Sequence, residues 1–286
     1  MWNFRYLQNA DELLDLDRDQ LSIYYIGNLI EKYLHRSRFQ KIVTNVLDMN
    51  NQVFIGIGGS DDFVHYYINF LYERIFSQKL LKEEDQKLKH IDENIAIIHF
   101  DSKIDMFGSM DAVTSINYFN KIYKNLKQSG FHSKVIFMGL QSLFCPHHII
   151  DEIDTFQDTV ETQLVWMRKD IRTIEMEADS QHTQTGSAFK TALSELQEQG
   201  FTNIEVSFDM CCLKGEMAPG RSDICTADGL TPEEAVDVMQ LAGAHPLVKS
   251  MIITEFNPGV DTRITGKVLM DMFHSFISGT TQRQQE

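Results

Sequence analysis

The amino-acid sequence predicts a three-layer α/β/α fold built around a mostly parallel sheet. Short, almost continuous apolar runs alternate along the chain with longer amphipathic segments. Strands that are apolar at nearly every position are covered on both faces, as in parallel sheets whose crossovers are helices. Because 43% of the 286 residues are hydrophobic, the chain can bury one sizeable core of this kind.

Six of the apolar runs are predicted to be strands, and amphipathic segments such as FVHYYINFLYERIFSQKLL (63–81) and SAFKTALSELQEQG (187–200) are predicted to be helices between them. The predicted strands, in chain order, are QVFIGI (52–57), IAIIHF (95–100), KVIFMGL (134–140), QLVWMR (163–168), IEVSFD (204–209) and SMIITEF (250–256).

The chain is predicted to have one domain with distinct ends. Residues 1–50 are predicted to be an N-terminal helical segment, which includes the long amphipathic stretch at 20–47. Residues 51–277 form the predicted α/β domain, and residues 278–286 (SGTTQRQQE) are expected to be a disordered tail.

Charge and composition exclude several classes of partner. The formal net charge of −15, without a basic patch, disfavours binding to nucleic acid. No stretch approaches 18 consecutive apolar residues, and the first twenty residues lack the features of a signal or transit peptide. We therefore expect no membrane insertion and a cytoplasmic location, with an organellar address left open. Four cysteines, two of them adjacent, predict reduced thiols rather than a disulfide framework.

Polar residues collect where several predicted strands end. In open α/β sheets, ligands bind beyond the carboxyl ends of the strands. Each aspartate taken alone is typical of a helix cap or a turn, but carboxylates that converge from several strands indicate a hard cation such as Mg²⁺, Mn²⁺ or Ca²⁺. The residues at these ends are Asp61 and Asp62, then Asp101, Lys103 and Asp105, then Asp209 and Cys211, and finally Glu255, Asn257 and Asp261.

From about residue 50 to residue 275, four ordered motifs resemble those of the ureohydrolases: arginase, agmatinase and, most closely, formimidoylglutamase. GIGGSDD (56–62) is similar to Gly-Gly-x-His, and HFDSKID (99–105) to Asp-Ala-His-x-Asp. SFDMCCLKGEMAPG (207–220) is similar to Ser-x-Asp-x-Asp followed by Ala-Pro-Gly, and EFNPGVD (255–261) to Glu-x-Asn-Pro. The resemblance implies an arginase-like fold. It also implies a pair of Mn²⁺ ions whose bridging hydroxide attacks a guanidinium or formimino carbon.

The resemblance also assigns six metal-ligand positions, and three of them are altered. Asp61 stands where the family has the first-metal histidine, while the remaining first-metal aspartate (Asp105) and the two bridging aspartates (Asp101 and Asp209) are retained. Lys103 stands in the place of the second-metal histidine, and Cys211 in that of the second-metal aspartate. These six positions form a vestigial metal site, because the second ion loses both of its private ligands.

Lys103 is therefore interpreted as a resident cation in the place of the second metal. A protonated lysine has hydrogen-bond donors only and cannot bind a metal. We expect no resident cofactor, with carboxylate pKa values shifted in a metal-free pocket; the alternative is a single Mn²⁺ or Mg²⁺ in the first site.

No intact catalytic residue is expected. Glu255 matches the family's acidic residue near the guanidinium or formimino group, either as a vestige of substrate binding or as a structural acceptor. The family's catalytic histidine has no clear counterpart, and TSINYFN (114–120) offers Asn117 and Tyr118 instead.

The sequence thus predicts a degenerate ureohydrolase that acts as a structural or binding subunit among other proteins. The alternatives are a divergent one-metal hydrolase of guanidino or formimino C–N bonds and a ligand sensor that uses Glu255.

Only about fifty residues precede the first predicted strand, whereas ureohydrolases begin with a further strand–helix unit. Without that unit the strand at 52–57 becomes a sheet edge, which we expect N-terminal helices or another protein to cover. Self-association into homo-oligomers is open.

Overall fold

A computed structural model describes residues 53–57, 59, 94–107, 114, 116–176, 181–221, 228–261 and 263–283. Within these ranges the chain forms six β-strands and five α-helices. All six strands fall on runs predicted to be strands, and their ends differ from the predicted ones by at most three residues. The strands are β1 (Phe54–Ile57), β2 (Asn94–Phe100), β3 (His132–Leu140), β4 (Val160–Trp166), β5 (Ile204–Asp209) and β6 (Val248–Thr254).

The strands form one sheet in the order β1-β6-β5-β2-β3-β4, and every neighbouring pair is parallel. This order brings β2 and β5 together at the centre, although more than a hundred residues separate them in the chain. β1 and β4 are the edges of the described sheet. The predicted parallel α/β architecture is therefore confirmed.

Helices cover both faces of the sheet, and alternate residues of β2 pack in the two cores on either side. Ile95 and Ile97 pack in the core on one side of the sheet, together with helices α1 (Tyr118–Ser129) and α2 (His147–Asp154). Ala96, Ile98 and Phe100 pack in the core on the other side. The helices on that second side are α3 (Gln184–Glu198), α4 (Pro232–Ala244) and α5 (Ile264–Arg283).

The N-terminal helical segment at 1–50 and the predicted helix at 63–81 lie outside the described residues. The disordered tail was predicted to begin at residue 278, but α5 continues to Arg283. The guanidinium of Arg283 donates hydrogen bonds to the carbonyl groups of Ala242, Gly243 and Val248, and these bonds hold the last turn of α5 against α4.

None of the described helices combines the length and the apolar character that crossing a membrane requires.

Candidate functional site

Strand register places the predicted polar residues side by side at the carboxyl edge of the sheet. Phe100 of β2 is paired with Phe208 of β5, so the next residues, Asp101 and Asp209, are neighbours on adjacent strands. Backbones of paired strands lie about 4.8 Å apart. Asp209 is in turn paired with Thr254 of β6, the residue before Glu255. The expectation that these strand ends meet at one edge therefore agrees with the register.

Three aspartates in this region are buried. Asp101 and Asp209 have no exposed surface, and Asp105 is 1% exposed. Backbone amides hold two of them in place: Ser102 N donates to Asp101 Oδ1 at 2.6 Å, and Cys211 N donates to Asp209 Oδ1 at 2.6 Å. Asp61, the fourth carboxylate of the expected set, lies outside the described residues.

Lys103 lies against this group of acids. Its Nζ is 3.5 Å from Asp105 Oδ1, and its side chain is only 15% exposed. Burial of several carboxylates without a positive charge would be costly, because each charged group loses its hydration. The ammonium of Lys103 thus offsets part of the negative charge from within the protein.

The surroundings of two thiols near the carboxylates raise their pKa. Burial raises the pKa of Cys212 well above its usual value, and the charges of Asp209 and Asp101 raise it further. Burial, followed by the charge of Asp101, raises the pKa of Cys145 to about 12. Cys211 is itself 1% exposed and lies in the short 3₁₀ turn Met210–Cys212 that follows Asp209. The surroundings of Cys212 and Cys145 therefore favour the neutral thiol over the thiolate.

The donor set does not fit the pair of manganese ions that the motifs imply. Mn²⁺ prefers oxygen and nitrogen ligands, whereas position 103 supplies an ammonium and position 211 a buried sulfur. In the part of the chain that the structure describes, no three His, Cys, Asp or Glu side chains are arranged to hold a metal ion. Positions 103 and 211 thus differ in donor type from the ligands that the motifs imply.

Glu255 occupies a strained position at the end of β6. Its φ of 62° is in the left-handed region, which favours glycine, and the residue is 5% exposed. Its backbone N donates to Gly59 O at 2.7 Å, which extends the β1–β6 pairing past the strands. A non-glycine residue held in this conformation is a mark of functional sites, since the surrounding structure must stabilise the strain.

A buried histidine that sequence reasoning missed lies next to Asp101. His99 Nδ1 is 2.5 Å from Ser207 Oγ, and His99 Nε2 is 2.9 Å from Tyr118 Oη and 3.7 Å from Asp101 Oδ2. This network connects β2, β5 and α1 next to the carboxylates. The available signal was that His99 and Ser207 are polar residues within two apolar runs, and these two residues are paired across β2 and β5.

Four residues singled out from the sequence have local structural roles. Asn117 Oδ1 accepts a hydrogen bond from Thr114 N, and Tyr118 is buried with its hydroxyl on His99. Asn257 Oδ1 accepts from Gly259 N, and the Asp261 carboxylate accepts from the backbone amides of Thr265 and Gly266 at the start of α5.

The Ala-Pro-Gly motif packs against this helix start. A Cβ at Gly220 would lie 2.4 Å from Asp261 Cβ, so only glycine fits there. Asp261 therefore caps α5 and is packed against Gly220.

Comparison with known proteins places these motifs in a family. The model of the arginase family matches residues 3–278. Among solved structures, formiminoglutamase from Trypanosoma cruzi with Mn²⁺ superposes with a TM-score of 0.72 at 22% identity, over 95% of this chain and 80% of that one. Formimidoylglutamase from Bacillus subtilis has a TM-score of 0.65 at 17% identity, over 91% of this chain and 70% of that one.

Arginase from Bacillus caldovelox superposes with a TM-score of 0.60 at 16% identity, over 90% of this chain and 80% of that one. No curated protein sequence matches the chain significantly. Identities this low support the fold, while the family model spans nearly the whole sequence. The resemblance of the motifs to those of ureohydrolases is thereby confirmed, and the chain belongs to the arginase family.

Proposed function

We propose that the chain is a catalytically degenerate ureohydrolase, a pseudoenzyme that serves as a structural or binding subunit of a larger protein assembly. The observation that carries the proposal is the position of Lys103. Its ammonium lies 3.5 Å from Asp105 Oδ1, at the position where the motif has a second-metal histidine.

The charge of Lys103 supports the proposal on physical grounds. An ammonium offers no lone pair to a cation and repels one electrostatically. It also supplies part of the positive charge that the buried carboxylates require. A single substitution thus opposes binding of the second ion and helps the site to remain folded without it.

The experiment measures metal binding and hydrolysis on the same protein. Isothermal titration with MnCl₂ or MgCl₂ should give no site-specific heat, and release of urea, ammonia or formamide from guanidino and formimino substrates should stay at background. Hydrolysis at ordinary enzymatic rates would contradict the proposal.

Reversion variants sharpen the test. Lys103→His with Cys211→Asp restores both private ligands of the second ion, and adding Asp61→His restores the remaining family histidine. We expect Mn²⁺ binding in the triple variant. The control for positions 103 and 211 is Lys103→Met with Cys211→Ala, which changes both residues without adding a ligand and should not bind Mn²⁺. Equal binding by the control and the reversion variant would show that ligand loss is not the cause.

The second candidate function is a one-metal hydrolase of guanidino or formimino C–N bonds. It is favoured by the retention of three buried carboxylates, Asp101, Asp105 and Asp209, and by the strained, buried Glu255. A single Mn²⁺ or Mg²⁺ among these oxygen donors would acidify a bound water. Binding of one ion per chain together with slow substrate turnover, both abolished by Asp209→Asn, would favour this function over the pseudoenzyme.

The assembly role has its own test. In an extract of the native source, the endogenous chain should migrate at a mass that exceeds any homo-oligomer of the purified protein. Migration at the same mass as the purified protein would argue against a role among other subunits. Purified protein run on the same column provides the reference.

A further inference from the structure

We propose that a basic, amphipathic helix of a partner protein packs in a groove between α3 and the edge strand β4, an inference that rests on the proposed role as a subunit. The groove has a volume of about 610 Å³. Val165 of β4 and Met138 of β3 line it, and both belong to the core on the α3 side of the sheet. Parallel sheets are stable when helices cover both faces, and an open groove beside an edge strand leaves room for one more helix.

The groove continues along α3 into a second depression, with a volume of about 480 Å³. Ile174, Ser187, Thr191 and Glu195 line both. Met176, which lines the second depression, is 37% exposed. A partner that covers this apolar surface removes it from water and thereby gains free energy.

The side of α3 that lines the groove carries small residues. Ser187, Ala188, Thr191 and Ala192 recur at the spacing of one helical face. Small side chains at a contact allow two helices to approach until their axes are about 8–10 Å apart. The surface of α3 is therefore suited to a second helix beside it.

The backbone of β4 is less suited to an added strand. Thr162 N donates to Gln157 Oε1 at 3.4 Å, and Trp166 N donates to Asp170 Oδ2 at 2.8 Å. These side chains occupy part of the edge with which another strand would pair. A helix satisfies its own backbone groups and needs only side-chain contacts, so it is the better occupant.

Charge favours a basic partner over a second copy of this chain. Four carboxylates and two lysine ammonium groups line the two depressions. A second copy brings the same net charge of −15 and is repelled, whereas Lys and Arg side chains beside an apolar stripe would complement the acids. The acids are Asp170, Glu175, Glu195 and Glu198, and the lysines are Lys169 and Lys190.

Size-exclusion chromatography of native-source extracts, in which tagged variants replace the endogenous chain, tests the groove. Thr191→Trp places an indole ring in the groove from an exposed position of α3, and it should lower the assembled fraction about ten-fold. The control, Gln197→Trp, adds the same ring at an exposed position of α3 outside the groove and should leave the assembled fraction unchanged.

A charge reversal tests the same surface without adding bulk. Glu195→Lys should lower the assembled fraction about three-fold, whereas Asp151→Lys, at an exposed position of α2 on the other side of the sheet, should not. An assembly that Thr191→Trp and Glu195→Lys both leave intact would overturn this inference and leave the proposed function standing. Wild-type chain that migrates at the mass of the purified protein would remove both.

A carbodiimide cross-linker identifies the occupant, because it joins carboxylates to lysines that touch them. In the assembly isolated from the native source, Glu195 or Glu198 should be linked to a lysine of a different protein, within a segment whose apolar residues recur at helical spacing. Cross-links of these carboxylates only to lysines of this same sequence, or to none, would overturn the proposal.

Discussion

At the scale of single residues, Lys103 is expected to contribute to stability through its charge. Replacement by methionine keeps the length of the side chain but removes the ammonium beside Asp105. Because the remaining buried carboxylates then lose a positive neighbour, we expect the free energy of unfolding to fall by about 2 kcal/mol. Urea denaturation of Lys103→Met measures this change.

The matched control is Lys190→Met, at an exposed position of α3, which should change stability little. An unchanged or higher stability of Lys103→Met would mean that the carboxylates are balanced by another group, and the interpretation of Lys103 as a resident cation would fail.

The residue scale also shows what sequence reasoning reached and what it missed. Asp101 and Asp209 could be placed together because parallel strands end at one edge, and the register agrees. His99 was missed because a histidine inside an apolar run reads as part of the core until the pairing with Ser207 is known. Asp261 resembled a site residue, but its carboxylate serves the first turn of α5.

At the scale of elements, α4 and α5 approach closely through two glycines. A Cβ on Gly243 would lie 2.1 Å from Phe276 O, and one on Gly279 would lie 2.2 Å from Gln240 O. Gly243→Ala and Gly279→Ala should each destabilise the protein by about 1–3 kcal/mol, since the backbones must separate to admit a methyl group. This cost exceeds the gain in helix propensity, which is about 1 kcal/mol.

Chemical denaturation of both variants checks this prediction. Gln282→Ala, at an exposed position of α5, controls for the change in propensity and should be nearly neutral. Two glycine variants as stable as the wild type would show that the helices can separate without cost.

The end of α4 is expected to make stability depend on pH. Burial, followed by the charges of Arg283 and Lys249, lowers the pKa of His245 below its ordinary value of 6.5. The unfolded chain therefore binds this proton more readily than the folded chain. The contribution of His245 is present above pH 6.5 and is lost as the pH falls below it.

Comparison of the wild type with His245→Gln isolates this effect. Between pH 7.5 and pH 5.5 the wild type should lose more stability than the variant, which has no titrating group at this position. Parallel stability curves over that range would contradict the prediction, because they would mean that the histidine protonates equally well in both states.

Elements were predicted better than their arrangement. Continuous apolar runs identified all six described strands, because a strand covered on both faces leaves a simple pattern in the sequence. The order of the sheet, in which β6 lies between β1 and β5, depends on long-range packing that no local pattern encodes. The extent of α5 was underestimated because its last turn is polar and is held by the contacts of Arg283 with α4.

At the scale of the whole molecule, the net charge of −15 should make stability depend on salt. Like charges repel one another more in the compact state than in the unfolded chain, and added ions screen this repulsion. Raising NaCl from 20 to 300 mM should therefore increase Tm by a few degrees. Differential scanning calorimetry at constant pH measures the shift.

Divalent salts turn the same measurement into a test of the carboxylate site. If only screening acts, MgCl₂ and MnCl₂ should raise Tm no more than NaCl does at equal ionic strength. A cation that binds the folded state specifically stabilises it in proportion to the logarithm of its concentration, even at micromolar levels where screening is negligible. A rise in Tm at micromolar MnCl₂ that disappears in Asp209→Asn would therefore contradict a metal-free site, because it would place a resident ion among the carboxylates that Lys103 is proposed to balance.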